Sequence, residues 1–117
     1  MSEKRFYETV FIIRQDVSSA HTQTLADEFA KIIADNGGKV VDTEHWGLKT
    51  LAYKINKNRK GHYVLFISEA PHAAIAEMER QMRLHEDVLR YMTLRLEEKP
   101  EGPSIMARDG EKGEAGG

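Results

Sequence analysis

The chain has 117 residues, a formal net charge of −2 and no cysteine. That length suits a single folded domain, and the absence of cysteine excludes disulfides, thiol catalysis and cysteine-ligated metal sites, while a negative net charge taken alone argues against a nucleic-acid partner. No segment approaches the roughly 18 to 20 apolar residues of a membrane span, and the N-terminus lacks a signal peptide's apolar segment, so we expect a cytoplasmic protein with no membrane partner.

The first two predicted elements are a strand and a helix. Residues 5–13 are rich in aromatic and β-branched side chains, which favours a strand. Residues 18–36 then carry an apolar stripe at helical spacing, so they predict an amphipathic helix. Ser18 or Ser19 supplies the N-cap, and Gly37 follows as the stop signal. The stripe consists of Leu25, Phe29, Ile32 and Ile33.

A bent hairpin is predicted next. Residues 39–55 alternate as a strand does, but the parity of the alternation changes at Gly47, which indicates a bulge or bend. Residues 56–61 are polar and predict a turn, and residues 62–69 predict the returning strand. The second half of the first strand of this hairpin is therefore expected to point in a new direction.

A second helix and a last strand complete the pattern. Pro71 suits the first turn of a helix, whose apolar face carries Ile75, Met78 and Met82. Residues 88–96 predict the final strand, with Met92, Leu94 and Leu96 on one face. The order β-α-β-β-α-β predicts a ferredoxin-like α+β fold, in which a four-stranded antiparallel sheet carries both helices on one face. We expect this domain to span residues 1–98 and residues 99–117 to form a disordered tail rich in glycine and charge.

The uncovered face of the sheet is expected to be unusually apolar. Residues 10–13 and 62–67 are apolar at both parities, although a sheet covered on one side normally alternates apolar and polar positions. Such a face indicates a protein partner, and aromatics between basic residues can instead stack on bases. Partial burial of both parities at curled strand ends would explain the same pattern.

Positive charge is concentrated in one segment. Residues 49–60 contain five bases and no acid, whereas from Glu97 onward six acids and three bases leave a charge of −3, so that residues 1–96 carry +1. Clustered bases at the edge of a small sheet neutralise phosphates. A lysine-rich hairpin also occurs simply because it prevents edge-to-edge pairing of sheets.

Catalytic motifs are not found in the sequence. There is no glycine-rich phosphate loop and no nucleophile elbow, and the five histidines fit no close-spaced metal pattern. His85, Glu86 and Asp87 offer general bases, but a polar turn before a strand explains them more economically. We therefore expect a protein that is not an enzyme, with no cofactor, no metal and no small-molecule substrate.

Three stretches resemble the family of the sixth protein of the bacterial small ribosomal subunit, and the resemblance extends over residues 4–98. The middle stretch is the most specific, because a Gly-Leu-basic-x-Leu-Ala-Tyr run in a bent second strand is the family's most recognisable feature. The three stretches are residues 7–13, residues 47–55 followed by 60–63, and residues 82–92.

The resemblance implies a ribosomal protein that binds the central domain of small-subunit ribosomal RNA cooperatively with ribosomal protein eighteen during assembly. It implies a monomer when free and phosphate contacts at Arg5, Lys49, Lys54, Arg83 and Arg90. Charge alone adds Lys57, Arg59 and Lys60 to these candidates. Trp46 and Leu48, which flank the bend, are candidates for the protein interface, and Thr50 stands where many relatives have a second base, which predicts weaker RNA contact there. The alternative is a ferredoxin-like homo-oligomer that binds a small ligand at its interface.

Overall fold

The computed structural model describes residues 4–99, and these form six elements in the predicted order. The strands make one antiparallel sheet, in which the second strand of the chain lies next to the third, the third next to the first and the first next to the fourth. Both helices lie on one face, so the predicted ferredoxin-like architecture is confirmed. The predicted tail lies outside the described residues, except for Lys99. None of the described helices is long and apolar enough to span a membrane. The elements are β1 (Arg5–Arg14), α1 (Ser19–Asp35), β2 (Lys39–Ile55), β3 (Asn58–Ala70), α2 (His72–Leu84) and β4 (Val88–Leu96).

The ends of α1 follow from local hydrogen bonding. Ser18 is the N-cap, and its Oγ accepts the amide N–H of His21 at 3.0 Å. At the other end the Asn36 side chain donates to the carbonyl of Ile32 at 2.8 Å, and Gly37 adopts a φ of +93°. A left-handed glycine after the last turn satisfies the free carbonyls there and lets the chain turn into β2.

The hydrophobic core lies between the two helices and the two central strands. Phe11 of β1 is fully buried and meets Phe29 of α1 and Phe66 of β3 edge to face, with ring centroids 5.6 and 5.1 Å apart. The predicted apolar faces of both helices are confirmed for Leu25, Phe29, Ile33, Ile75, Met78 and Met82, which are all buried. Burial of this aromatic and aliphatic layer supplies the main favourable term in folding.

The predicted bend in β2 is confirmed. Gly47 has a φ of +84°, and the pairing of β2 with β3 shifts register between His45 and Gly47, so the strand bulges there. A Cβ added at Gly47 would meet nothing within 4 Å. Glycine is therefore needed for the left-handed backbone of the bulge and not because of a close neighbour.

The predicted turn over residues 56–61 is wrong in extent, because the turn consists only of Asn56 and Lys57. Both residues have positive φ, 49° and 69°, and Ile55 pairs directly with Asn58, which defines a two-residue hairpin loop. The polar residues 58–61 belong to β3. Composition suggested a turn there, but backbone pairing and contacts with the loop after β1 hold these residues extended.

The face of the sheet away from the helices is lined with apolar side chains, as the sequence predicted. Leu65 and Ile67 of β3 are 1% and 6% exposed although they alternate with the residues that face the helices. Neighbouring strands add Val10 of β1 and the exposed Met92 and Leu94 of β4 to this open face. On the open face, the side chains of β3 are therefore buried, whereas those of β4 are exposed and available to a partner.

Candidate nucleic-acid interface

The hairpin end is the part of β2 and β3 that extends from Gly47 to Gly61. It is tied to the body by the loop after β1, where the backbone N–H of Gln15 donates to Asn58 Oδ1 at 3.2 Å. In return, the backbone N–H of Lys60 donates to Gln15 Oε1 at 3.1 Å. A Cβ built at Gly61 would collide with Ile12 Cγ2, so a glycine is required where the base of the hairpin end lies beside β1. These contacts fix the direction in which the hairpin end projects.

The structure gathers five of the predicted RNA-contact residues at this hairpin end. Lys49 pairs with Gly61 and is half-buried, while the other four are exposed, in the strands and the turn. Among residues 4–99, no ion pair involves any of the five. Unpaired cations close together create the field that attracts a phosphate backbone. The five are Lys49, Lys54, Lys57, Arg59 and Lys60.

Arg90 lies on the edge strand farthest from β2 and contacts the hairpin end through Tyr53. It lies on β4 opposite Ile12, and its Nη1 donates to the hydroxyl of Tyr53 at 2.8 Å. Tyr53 is 64% exposed, so the guanidinium is held at the surface by a polar anchor. The sequence predicted Arg90 as a contact residue, but the hydrogen bond that Arg90 donates to Tyr53, and that positions it, had no signal in the sequence.

Two predicted contact residues lie elsewhere. Arg5 begins β1, whereas Gly61 at the base of the hairpin end pairs with Arg14 at the end of β1. Nine residue steps of a strand separate Arg5 from Arg14, about 30 Å at the usual rise. Arg83 lies in the last turn of α2, on the helix side, where its Nη1 is 3.5 Å from the Tyr91 hydroxyl. One phosphate cannot meet Arg5 together with the hairpin end.

The two predicted partner-interface residues face opposite sides of the sheet. Trp46 stacks on Tyr63 with ring centroids 6.0 Å apart and planes 20° apart, and its Nε1 donates to Glu44 at 2.8 Å. Tyr63 pairs with Ile12 on the open face, so Trp46 belongs to that face. Leu48 is 49% exposed but pairs with His62, which faces the helices. The bulge at Gly47 places Trp46 and Leu48 on opposite faces, although the sequence assigned both to one partner interface.

Acidic side chains next to the hairpin end are held in ion pairs. Arg14 Nη2 lies 2.6 Å from Asp16 Oδ2, and Arg14 Nη1 lies 3.5 Å from Asp87 Oδ1. The hydrogen bond to Asp16 and its charge raise the pKa of Arg14, and the hydrogen bond from Arg14 lowers the pKa of Asp16. The acids near the base of the hairpin therefore have a partner within the protein, which reduces their repulsion of an anionic ligand.

A second group of basic residues lies at the far end of the sheet, the end away from the hairpin end. Of its three members, the sequence predicted only Arg5. Lys4, Arg5 and Arg95 line an open cavity of about 370 Å³ together with Glu97. Arg95 comes close to Arg5 because β4 runs antiparallel beside β1, with Arg95 opposite Tyr7. Strand pairing brings these bases together, and the only sequence signal was the predicted order of the strands.

No catalytic arrangement is found in the described part of the chain. Among residues 4–99, no group of three or more histidine, cysteine, aspartate or glutamate side chains could hold a metal ion. His85 uses Nδ1 to accept the amide N–H of Asp87 at 3.1 Å and stacks edge to face on Phe29. This contact agrees with the structural role expected for the polar turn before β4. The fold defines a small α+β protein of the ferredoxin-like class.

The chain belongs to the ribosomal protein S6 family, which it matches over residues 6–95. It is 59% identical over 106 residues to the small ribosomal subunit protein bS6 of Dinoroseobacter shibae, covering 91% of both chains. It is 61% identical over 99 residues to the bS6 protein of Cereibacter sphaeroides, covering 85% of this chain and 75% of the relative. The predicted family membership is confirmed.

A solved structure supports the fold independently. The crystal structure of 30S ribosomal protein S6 from Thermotoga maritima superposes with a TM-score of 0.75 at 24% identity, covering 97% of this chain and 99% of that one. Membership of the S6 family and the bS6 relatives, and not this structural likeness, make the chain a structural, non-enzymatic protein of the small subunit, located in the ribosome of the bacterial cytoplasm. The predictions that it is ribosomal and not an enzyme are confirmed.

Proposed function

We propose that the chain binds the central domain of small-subunit ribosomal RNA, cooperatively with ribosomal protein eighteen, during assembly of the subunit. The observation that carries this proposal is the hairpin end, where five exposed or half-exposed bases project from the body with no ion pair among residues 4–99. Phosphate neutralisation by these bases contributes salt-dependent affinity, and the folded RNA contributes specificity through its shape.

The RNA contacts fall into one main group and two outlying ones. Lys49, Lys54, Lys57, Arg59 and Lys60 bind phosphates together, and Arg90 adds a sixth cation that Tyr53 holds in place. Arg83 at the end of α2 and Arg5 at the far end of the sheet meet other segments of RNA. Because the far end lies about 30 Å from the hairpin end, the protein spans two separated stretches of backbone.

The protein partner uses the open face. This face carries exposed apolar side chains, Met92 at 60% and Leu94 at 51%, and the stacked pair of Trp46 and Tyr63. Large apolar and aromatic side chains are what a partner desolvates in a stable interface. Trp46 is therefore the better candidate of the two predicted interface residues. Leu48 contacts the partner only if the partner also wraps around the edge strand β2.

The same apolar face would suit self-association, so the free state separates the two candidate functions. We propose that the free chain is a monomer in solution. A homo-oligomer that binds a small ligand would bury Met92 and Leu94 against a second copy and sediment as a stable dimer without RNA. Sedimentation equilibrium of the purified chain measures this directly.

A double charge reversal tests the RNA surface. Lys49→Glu with Lys54→Glu should weaken binding to a central-domain RNA fragment and flatten the dependence of log affinity on log salt. The slope should fall by roughly 1.5 units or more, since each lost phosphate contact removes about 0.7 to 0.9 units. Thermal stability should change little, because both side chains lie outside the buried core.

The matched control reverses two lysines away from the hairpin end. Lys31→Glu with Lys39→Glu produces the same change in net charge, and these lysines pair with Asp35 and Glu69 on other surfaces. We expect the control to reduce RNA affinity far less. If both double variants bind RNA like the parent, or if both weaken it equally, the hairpin end is not the RNA surface.

A further inference from the structure

Tyr53 exposes an aromatic ring at the hairpin end. A surface tyrosine commonly packs the apolar body of its ring against the protein and leaves the hydroxyl in water. Here the order is reversed, because the hydroxyl accepts a hydrogen bond from Arg90 Nη1 at 2.8 Å while the residue is 64% exposed. No other aromatic ring of residues 4–99 stacks on it. The π face of this ring is therefore open to a ligand.

The ring is held in place by a strand that is not the neighbour of its own strand. Tyr53 lies on β2 and Arg90 on β4, and both β3 and β1 lie between these two strands in the sheet. The hydrogen bond between the two side chains therefore fixes the ring relative to the body and not only to the hairpin end. A side chain that is placed before binding loses less conformational freedom when a ligand arrives.

Cationic side chains share the face of the sheet on which Arg90 lies. Arg90 is opposite Ile12 on the open face. Lys49 pairs with Gly61, where an added Cβ would meet Ile12 Cγ2, so Lys49 belongs to the same face. Strand alternation puts Arg59 there as well, two residues before Gly61. Within residues 4–99, none of the three cations forms an ion pair, so their field attracts a polyanion.

An exposed ring among cations matches unpaired RNA better than an RNA duplex. In a duplex the bases stack on each other, and a protein meets only their edges, the sugars and the phosphates. An unpaired base can instead lie flat on an aromatic side chain while neighbouring cations neutralise the phosphates on either side of it. The ring therefore offers a contact that phosphate neutralisation alone does not supply.

The ring is also separate from the apolar part of the open face. Met92 lies opposite Val10 and Leu94 opposite Glu8, so both lie farther from the hairpin end than Arg90 does. A protein partner can desolvate these two apolar side chains without covering the charged border at Arg90. The chemistry around Tyr53 therefore favours RNA over the protein partner as its ligand.

We propose that the Tyr53 ring stacks on one unpaired base of the ribosomal RNA. The three cationic side chains of this face neutralise the phosphates that flank the stacked base. This inference rests on the proposed RNA binding and adds to it the feature of the RNA that the hairpin end selects. The stacking contribution depends little on salt, because the counterions released on binding come from phosphate contacts.

Nuclear magnetic resonance of the tyrosine rings tests the stacking directly. The full-length chain, labelled with ¹³C in its tyrosine rings, is titrated with single-stranded oligoadenylate. A second sample receives an RNA duplex at the same phosphate concentration and ionic strength. We expect a saturable upfield shift of the Tyr53 ring protons with the single strand only, and no shift of the buried Tyr7. No shift at Tyr53, or an equal shift with the duplex, would overturn the proposal.

Two substitutions of one residue separate the ring from its hydroxyl. Tyr53 lies outside the buried core, so both variants should fold. Tyr53→Leu removes the ring and should lower affinity for the central-domain RNA fragment, measured with ribosomal protein eighteen present, by roughly 5- to 100-fold. Tyr53→Phe keeps the ring and loses the hydrogen bond to Arg90, so affinity should fall by only about two- to threefold.

The salt dependence supplies a second readout from the same two variants. The slope of log affinity against log salt should equal that of the parent in both, because neither change removes a phosphate contact. Equal affinity of the two variants, or a lower slope for Tyr53→Leu, would mean that the residue does not act by stacking.

The same experiments distinguish this inference from the proposed function. If the parent binds the central-domain fragment and Tyr53→Leu binds it equally well, RNA binding stands and stacking is wrong. If the oligoadenylate shifts the Tyr53 ring but the parent does not bind the central-domain fragment, stacking stands and the proposed function is wrong. If Tyr53→Leu loses affinity for ribosomal protein eighteen by the same factor without RNA, the ring contacts the protein and the proposal is overturned.

Discussion

The body of the molecule has a buried apolar core, whereas its hairpin end is mostly exposed and carries basic side chains. In the body, β1 and β3 pack against both helices, and Phe11, Phe29 and Phe66 are closed off from water. In the hairpin end most side chains are exposed, and Gly47, Asn56 and Lys57 all have positive φ. The difference teaches that the buried core and the exposed bases lie in different parts of this small domain, so the bases can be changed without loss of the core.

The two regions are nevertheless mechanically linked. Gln15 joins them through its two hydrogen bonds to Asn58 and Lys60, and Gly61 allows the close approach to Ile12. The body therefore orients the hairpin end even though the charges proposed to bind RNA lie outside the buried core. A change that unfolds the body must also remove binding, whereas a change in the hairpin charges need not unfold anything.

The largest expected effect comes from breaking the body. Phe11→Ala should lower the free energy of unfolding by about 3 to 5 kcal/mol, since it deletes a fully buried ring from an aromatic cluster. That loss is a large part of the roughly 5 to 15 kcal/mol typical of a domain. Urea denaturation followed by circular dichroism measures it, and the fraction that remains folded should bind RNA as the parent does.

An exposed apolar residue on the open face provides the control for that substitution. Leu94→Ala removes a side chain that is 51% exposed on β4 and should change the free energy of unfolding by less than about 1 kcal/mol. A cost for Leu94→Ala close to that of Phe11→Ala would mean that the open face is part of the core. In that case the assignment of this face to a partner would be wrong.

A smaller effect of opposite sign is expected at the tip of the hairpin. Lys57→Gly should stabilise the protein by about 0.5 to 1 kcal/mol, because the residue has a φ of 69° and Asn-Gly is the preferred pair for such a turn. Thermal unfolding measures the gain. Lys57→Ala removes the same charge but keeps a Cβ, so it should show no gain, and equal stability of the two variants would contradict the role assigned to the turn.

The smallest expected effect concerns the pKa of Glu77, on the surface of α2. Hydrogen bonds from Arg80 and then Gln81 lower the pKa of Glu77 to about 2, from an ordinary value of 4.5. The folded pKa lies below the unfolded one, so this contribution to stability is present above pH 4.5 and is lost as the pH falls toward 2. Carboxyl ¹³C resonances should titrate Glu77 near 2 in the parent and higher in Arg80→Gln. A parent midpoint near 4.5 would contradict the geometry of this pair.

Much of the fold could be predicted because its signals are local. The apolar stripe of α1, the stop at Gly37 and the change of parity at Gly47 each depend on a few neighbouring residues. The turn was overestimated because Asn58 and Gly61 resemble turn residues in composition. Their extended conformation depends on Gln15 and Ile12, which are more than forty residues away in the sequence.

The candidate site was predicted less well because it depends on register and on faces. Lys49 and its neighbours could be grouped from their spacing, and the structure keeps them together. Trp46 and Leu48 could not be separated from sequence alone, since one extra residue in a bulge decides which face each takes. Arg5 could not be placed either, because only the pairing of β1 with β3 shows how far it lies from the hairpin end.

The central claim is cooperative binding of ribosomal RNA through the hairpin end and of a protein through the open face. The most direct measurement is the affinity of the purified chain for a central-domain ribosomal RNA fragment, with and without ribosomal protein eighteen, at two salt concentrations. We predict tight binding that weakens steeply with salt and requires the partner protein. Failure to bind under either condition, together with a stable homodimer in solution, would contradict the claim and favour a self-associating protein that binds a small ligand.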